Sequence, residues 1–219
     1  MRIVFANQKG GVGKSTLCML FADYLVTKNI DCCIMDIDLQ KTISMQRKKD
    51  EQLFNGSAAP YNVQTFEIKD PTLVNEVMIS AKTVPGAVLF DAPGNISEDG
   101  LLPIFVEADV IICPYKYEDK TLDSTGVFIQ VIQQLKDKIP TMKPKLLFVP
   151  NSIDNRIGTE AELKMWKQTD EIFKNYGMVS PRIPYRANLQ RVNTFSIFSE
   201  QISAVKDSFD FIIAKIFNS

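Results

Sequence analysis

Short apolar runs alternate with amphipathic stretches along the whole chain, and this alternation predicts a parallel sheet flanked by helices. Ile3-Val4-Phe5-Ala6 reads as a first buried strand. A glycine-rich turn follows it, and then Leu17, Leu20, Phe21, Tyr24 and Leu25 recur at helical spacing. Cys32-Cys33-Ile34-Met35 gives a second strand ending on Asp36, and residues 62–66 a third. Asp70-Pro71 pairs a capping side chain with proline at the first helical position, which predicts a helix running to Lys82 before Pro85-Gly86 breaks it. The apolar run Ala87-Val88-Leu89-Phe90 ends on Asp91, and residues 110–113 and 146–149 form two more strands, each closed by a proline. Helices are expected at 121–137 and 159–175, a short strand at 179–183, and a last helix from Phe198. No repeat, low-complexity tract or Gly/Ser linker interrupts the series. Residues 1–219 therefore read as one α/β domain with a mostly parallel, doubly wound sheet.

The turn after the first strand carries the clearest chemistry. In Lys9-Gly10-Gly11-Val12-Gly13-Lys14-Ser15-Thr16, the glycines allow positive φ and let backbone N–H groups approach an anion without a Cβ in the way. The helix that follows offers unpaired N–H groups and the positive end of its dipole. Lys14 adds a full charge for β- and γ-phosphates, and the Ser15 hydroxyl is placed to ligate Mg²⁺. The general phosphate-loop pattern is G-x-x-x-x-G-K-[ST], and here Gln8 stands at its first glycine. The chain thus reads as a P-loop NTPase.

Ligands of a doubly wound sheet lie beyond the carboxyl ends of its strands. Asp36 and Asp38 fall there after the second strand and Asp91 after the central apolar one. Carboxylates in that position can hold a metal-bound water or orient an attacking one. The chain has no histidine, so imidazole chemistry is excluded, but phosphoryl transfer to water needs positioning and charge neutralisation more than a strong base.

The string from Phe5 to Thr16 resembles the deviant Walker A motif of the ParA/MinD family of ATPases. The resemblance implies that Lys9 is the signature lysine, reaching across an ATP-dependent homodimer to the partner's phosphates. It further implies that Asp38 orients the hydrolytic water, Asp36 supports the metal site and Asp91 is the Walker B aspartate holding Mg²⁺ through water. The chain departs from the family at Leu39, where proline is usual, and in Ala92-Pro93-Gly94. Asn151, after a late strand, falls where the family reads the adenine edge, and Pro184 where a proline lies against the base. Taken alone, Asn151 is equally consistent with a turn and Pro184 with a strand terminator. The absence of an N-K-x-D string favours ATP over GTP.

Composition narrows the rest. The 219 residues suit one hydrophobic core, and a net charge of −1 gives no bulk attraction to nucleic acid or membrane. Cys18, Cys32, Cys33 and Cys113 form no CxxC pair and are expected as reduced thiols. No cleavable signal is recognisable and no run approaches the roughly 20 apolar residues of a membrane span, so a cytoplasmic location is expected. Arg47-Lys48-Lys49 reads as a solvated helix face, Arg182, Arg186 and Arg191 as a candidate phosphate-contacting patch, and Trp166 as a packing or interface residue. The last helix has only Lys206 and Lys215 on its polar side, which favours a core helix over a membrane anchor. The resemblance implies a ParA-like ATPase that dimerises on ATP, binds DNA without sequence preference and answers to a ParB-like stimulating protein, in partition of a plasmid or mobile element. The alternatives are a MinD-like membrane-associated positioning ATPase and a small-molecule enzyme such as a dethiobiotin-synthetase-like ligase.

Overall fold

A computed structural model describes residues 1–94, 100–154, 156 and 158–217. Seven strands, β1 (Arg2–Phe5), β2 (Cys32–Asp36), β3 (Asn62–Thr65), β4 (Ala87–Asp91), β5 (Val110–Tyr115), β6 (Lys145–Pro150) and β7 (Met178–Val179), form one sheet in the order β3-β2-β4-β1-β5-β6-β7. Every pairing between them is parallel, so the sheet is more uniform than the expected mostly parallel one. The connecting helices are α1 (Lys14–Thr27), α2 (Thr42–Leu53), α3 (Pro71–Ala81), α4 (Leu101–Glu107), α5 (Asp119–Lys138), α6 (Glu160–Lys174) and α7 (Ser199–Ile216).

Strand alternation divides the core between the two faces. Ile3 and Phe5 point to the side of α1 and α7, where Leu17, Leu20, Phe21, Val205 and Phe209 pack. Val4 points to the other side, against Val74, Ile104, Phe105, Phe128 and Phe173 from α3 to α6. Helix α7 is a core element, with Phe209 edge-on to Phe21 and Tyr24 at ring separations of 5.0 and 5.4 Å. Its apolar row is thus committed to the sheet, and no described helix is long and apolar enough to cross a membrane. All four cysteines are free thiols.

Local chemistry explains most element ends. The Asp70 carboxylate accepts from Thr72 N at 2.9 Å, with Pro71 opening α3 as expected. Thr159 and Glu162 form a reciprocal capping box at the start of α6. The strand expected at 179–183 is only two residues long, because Pro181 has no N–H to continue the ladder. The chain then resumes beside the loop after β6, with Ile183 N donating to Pro150 O at 2.8 Å and Pro184 bridged to Ile153. Helix α4 is an addition to the sequence reading, since its seven residues are too few to display a period.

Two charged segments differ from expectation. Arg47 does not lie on a solvated face: it is 5% exposed, while Lys48 and Lys49 are exposed. Its guanidinium donates to Thr194 Oγ1 (2.8 Å), Thr194 O (2.9 Å) and Tyr61 O (2.9 Å), and Asp50 accepts from Thr194 N at 2.7 Å. Arg182 likewise turns inward, pairing with Asp170 at 2.9 Å and lying over the stacked rings of Tyr117 and Trp166. Asp170 thus offsets its charge, while Arg182 still lines one surface hollow with Arg186, and Trp166 is buried.

Because Arg47 satisfies two buried carbonyls and a hydroxyl, Arg47→Ala should lower unfolding free energy by about 3 kcal/mol. Lys48→Ala and Lys49→Ala should each change it by less than about 0.5 kcal/mol. Urea unfolding followed by circular dichroism checks the contrast.

Candidate functional site

The site gathers at the carboxyl ends of β1, β4 and β2, which finish level with one another. Phe5 and Asp36 are both register partners of Asp91, so the two aspartates stand side by side at the sheet edge that the loop from β1 to α1 overhangs. Asp36 and Asp91 are both fully buried. Neither oxygen of Asp91 meets a donor at full hydrogen-bond geometry, the Ser15 hydroxyl standing near enough only to lower its pKa, and Asp36 Oδ1 lacks a partner too. Burial pushes the Asp91 carboxyl up to about 7; Asp36 and Asp38 raise it further, while Ser15 and Lys14 pull it down.

Asp36 uses its other oxygen to start a helix. Its Oδ2 accepts from Ser44 N at 2.8 Å and from Ser44 Oγ at 2.7 Å, in the first turn of α2. Asp38 lies half-buried on the intervening loop, and its Oδ1 accepts from Gln40 N at 2.9 Å. The loop between β2 and α2 is therefore pinned at Asp36 and held in a tight turn at Asp38. Leu39, which stands where proline would stiffen the chain, is 63% exposed, so the substitution leaves an apolar side chain on the surface of this loop.

The glycine-rich loop is shaped by two positive-φ residues, Gly11 (φ 78°) and Gly13 (φ 96°). Gly13 caps α1 without a side-chain hydrogen bond, and the first turn holds no acidic residue, which leaves its N–H groups available to an anion. A Cβ on Gly13 would come within 2.3 Å of Asn151 Nδ2, an amide that donates to Val12 O at 2.9 Å. Val12 is buried while Gly10 and Gly11 are exposed, so the loop is anchored at one point and open on its outer side. Lys14 is 7% exposed; burial lowers its pKa, Asp91 and Asp38 draw it back up, and its Nζ donates to Lys9 O at 3.4 Å. The Lys9 side chain is half-buried and makes no ion pair among the described residues. Ser15 and Thr16 are half-buried at the start of α1.

Three positioning residues carried no assigned role in the sequence reading. Asn7, fully buried, donates to Pro114 O (2.8 Å) and Thr125 Oγ1 (2.9 Å) and accepts from Lys9 N (3.2 Å), which ties the loop's entry to β5 and α5. Ser44 holds Asp36, and Gly94 lies so close that a Cβ there would be 3.5 Å from Lys14 Nζ. Gly94 stands three residues after the strand-end aspartate, which is the signal that places it; Asn7 and Ser44 have no spacing rule to reveal them.

On the far side of the loop a cavity of about 390 Å³ opens between α1 and the late segments. Gly11, Gly13, Thr16, Asn151, Pro184 and Arg186 are among its lining residues. Asn151 and Pro184 are thus brought to the same cavity as the phosphate loop, with Asn151 also holding the loop itself. Arg186 belongs to this cavity, which the sequence alone did not indicate. The arrangement can accept a polyanion at the loop, a flat apolar group in the cavity, and a cation near Ser15 and Asp91. Among the described residues no group of three or more Cys, Asp and Glu is arranged to hold a metal unaided. A cation would therefore take much of its coordination from ligand and water oxygens.

Residues 3–195 match the family described as the CobQ/CobB/MinD/ParA nucleotide binding domain. A plasmid partition protein from Borrelia burgdorferi bound to AMPPNP is similar in structure, with a TM-score of 0.76, 16% identity, and 98% of each chain covered. MinD from Aquifex aeolicus aligns with a TM-score of 0.69 and 15% identity over 97% of this chain and 96% of its own. Cobyrinic acid a,c-diamide synthase from Mycobacterium smegmatis, with bound ADP and magnesium, gives 0.67 and 17% over 100% and 95%. No curated protein matches the sequence.

A carboxyl with a folded pKa near 7 binds its proton more tightly folded than unfolded, so its contribution to stability is lost as pH rises from about 4 to about 7. Asp91→Asn removes that loss. Without ligand the variant should be more stable than the parent by about 1–3 kcal/mol at pH 8, with the gain shrinking toward pH 5. Urea titrations at the two pH values measure it.

Proposed function

Because the chain belongs to the CobQ/CobB/MinD/ParA family of nucleotide-binding domains, we propose that it binds ATP with magnesium and hydrolyses it slowly, as a ParA-like switch. The observation that carries this reading is Asp91, buried beside the phosphate loop with neither oxygen hydrogen-bonded. Desolvating a carboxylate costs of the order of several kcal/mol unless a cation or donors compensate it. Ser15 and Asp91 would hold magnesium, Asp91 through water, with Asp36 supporting them. The metal supplies neutralisation of charge on the β- and γ-phosphates.

The chain's own groups account for the rest. N–H groups from Gly10 to Thr16 and the Lys14 ammonium hold the phosphates, where burial makes each contact stronger than in water. Asp38 orients the attacking water from the β2–α2 loop, and the Ser44–Asp36 contact keeps that loop in register. Asn151 and Pro184 enclose the adenine. Lys9, without an ion pair of its own among the described residues, serves the phosphates of a second copy in an ATP-dependent homodimer. Similarity to solved plasmid partition proteins supports a role in partition or positioning of DNA cargo. A ParB-like protein would be its stimulator. The burial of the α7 apolar row speaks against a MinD-like anchor formed by that helix.

Size-exclusion chromatography with ATP and Mg²⁺ tests the switch. Asp38→Ala should accumulate as a dimer and hydrolyse ATP at least about a hundredfold more slowly, whereas Lys9→Ala should remain monomeric. Indistinguishable elution of parent and both variants would remove the support for nucleotide-driven dimerisation.

A further inference from the structure

A concavity of about 930 Å³ lies remote from the phosphate loop. It lies over β2 and β3 on the face that α3 flanks. In β2, Ile34 and Asp36 point to the α1 face and are fully buried, while Cys33 and Met35 point to the α3 face and are only half-buried. Their register partners on β3 are Asn62 and Gln64, both exposed. Yet β2 is an interior strand, paired on both sides, and interior strands of parallel sheets are ordinarily covered on both faces. Here α3 packs on α4 and leaves the β2–β3 surface open.

The chemistry of this groove narrows what can cover it. Its walls include Met35, Phe66, Leu73, Val77 and Val84, with Leu73 50% and Val84 40% exposed. Among the described residues its only charged lining groups are Asp31 at one end and Glu76 on α3, both acidic and both exposed. A floor that sets Cys33 and Met35 beside the amides of Asn62 and Gln64, walled by apolar Leu73, Val77 and Val84 and edged by acidic residues, disfavours nucleic acid and anionic lipid and suits a basic amphipathic partner. The four residues of β3 span about 13 Å, which about nine helical residues would match.

We propose that the groove between α3 and the exposed β2–β3 face is a docking site for an amphipathic helix of a partner protein, whose apolar row packs on Met35, Leu73 and Val77 and whose Lys or Arg side chains meet Asp31 and Glu76. The inference is independent of nucleotide hydrolysis, because none of these residues belongs to the loop or the strand-end carboxylates.

The test uses the full chain and two fluorescein-labelled 14-residue helical peptides with the same leucine row, one with lysines and one with glutamates on the polar face. Fluorescence anisotropy should show saturable binding of the Leu/Lys peptide and none of the Leu/Glu peptide. The double substitution Asp31→Lys, Glu76→Lys should weaken the first by about tenfold and confer binding of the second. Val77→Arg should abolish binding of the Leu/Lys peptide, with circular dichroism and thermal melting confirming that each variant folds. Absence of saturable binding, equal affinity for the two peptides, or indifference to the charge reversal would each overturn the proposal.

Discussion

Everything at the carboxyl edge of the sheet turns on a carboxylate that the fold buries and leaves without a partner. Asp91 sits at the end of a strand whose other four residues are all buried and apolar, so it cannot turn to water. Its neighbours are the Ser15 hydroxyl, a second buried carboxylate, Asp36, and a buried ammonium, Lys14. A side chain held this way penalises the ligand-free protein, and such penalties are tolerated where a ligand relieves them. The surrounding architecture has the form of a support for that arrangement.

The support is built from single hydrogen bonds placed at the ends of rigid elements. Asn7 ties the loop's entry to β5 and α5, Asn151 holds its middle from the end of β6, and Ser44 joins the start of α2 to Asp36. Arg47 and Asp50, one to two turns further along α2, fasten that helix to Thr194. The segment that ends at Thr194 also carries Pro184 and Arg186 of the cavity. One short helix therefore bears on both the strand-end carboxylates and the chain that closes the cavity, which places the two halves of the site in a single hydrogen-bonded frame.

Much of this was legible in the residues. The loop from Lys9 to Thr16 needs glycine where φ is positive, and its two positive-φ positions are both glycine, Gly11 and Gly13. Asp36 and Asp91 follow apolar runs that could only be interior strands, and their level ends follow from parallel register. The sequence misled where burial depends on partners far along the chain. Arg47 sits in a charge run, but Tyr61 and Thr194 draw it inward, and nothing local distinguishes it from Lys48. Arg182 is likewise engaged by distant partners, Asp170 and two aromatic rings, while still lining a hollow with Arg186. The short β7 follows a proline rule that the apolar spacing of 179–183 concealed.

The central claim is that the buried Asp91 waits for magnesium bound to a nucleoside triphosphate. Titration calorimetry of Mg-ATP at pH 7, run in two buffers of different ionisation enthalpy, tests it most directly. Because burial holds the Asp91 carboxyl well above the usual carboxylate range, Asp91 should release protons as the metal complex binds, and Asp91→Asn should not show that release. No detectable binding by the parent, or the same proton release from the variant, would contradict the account.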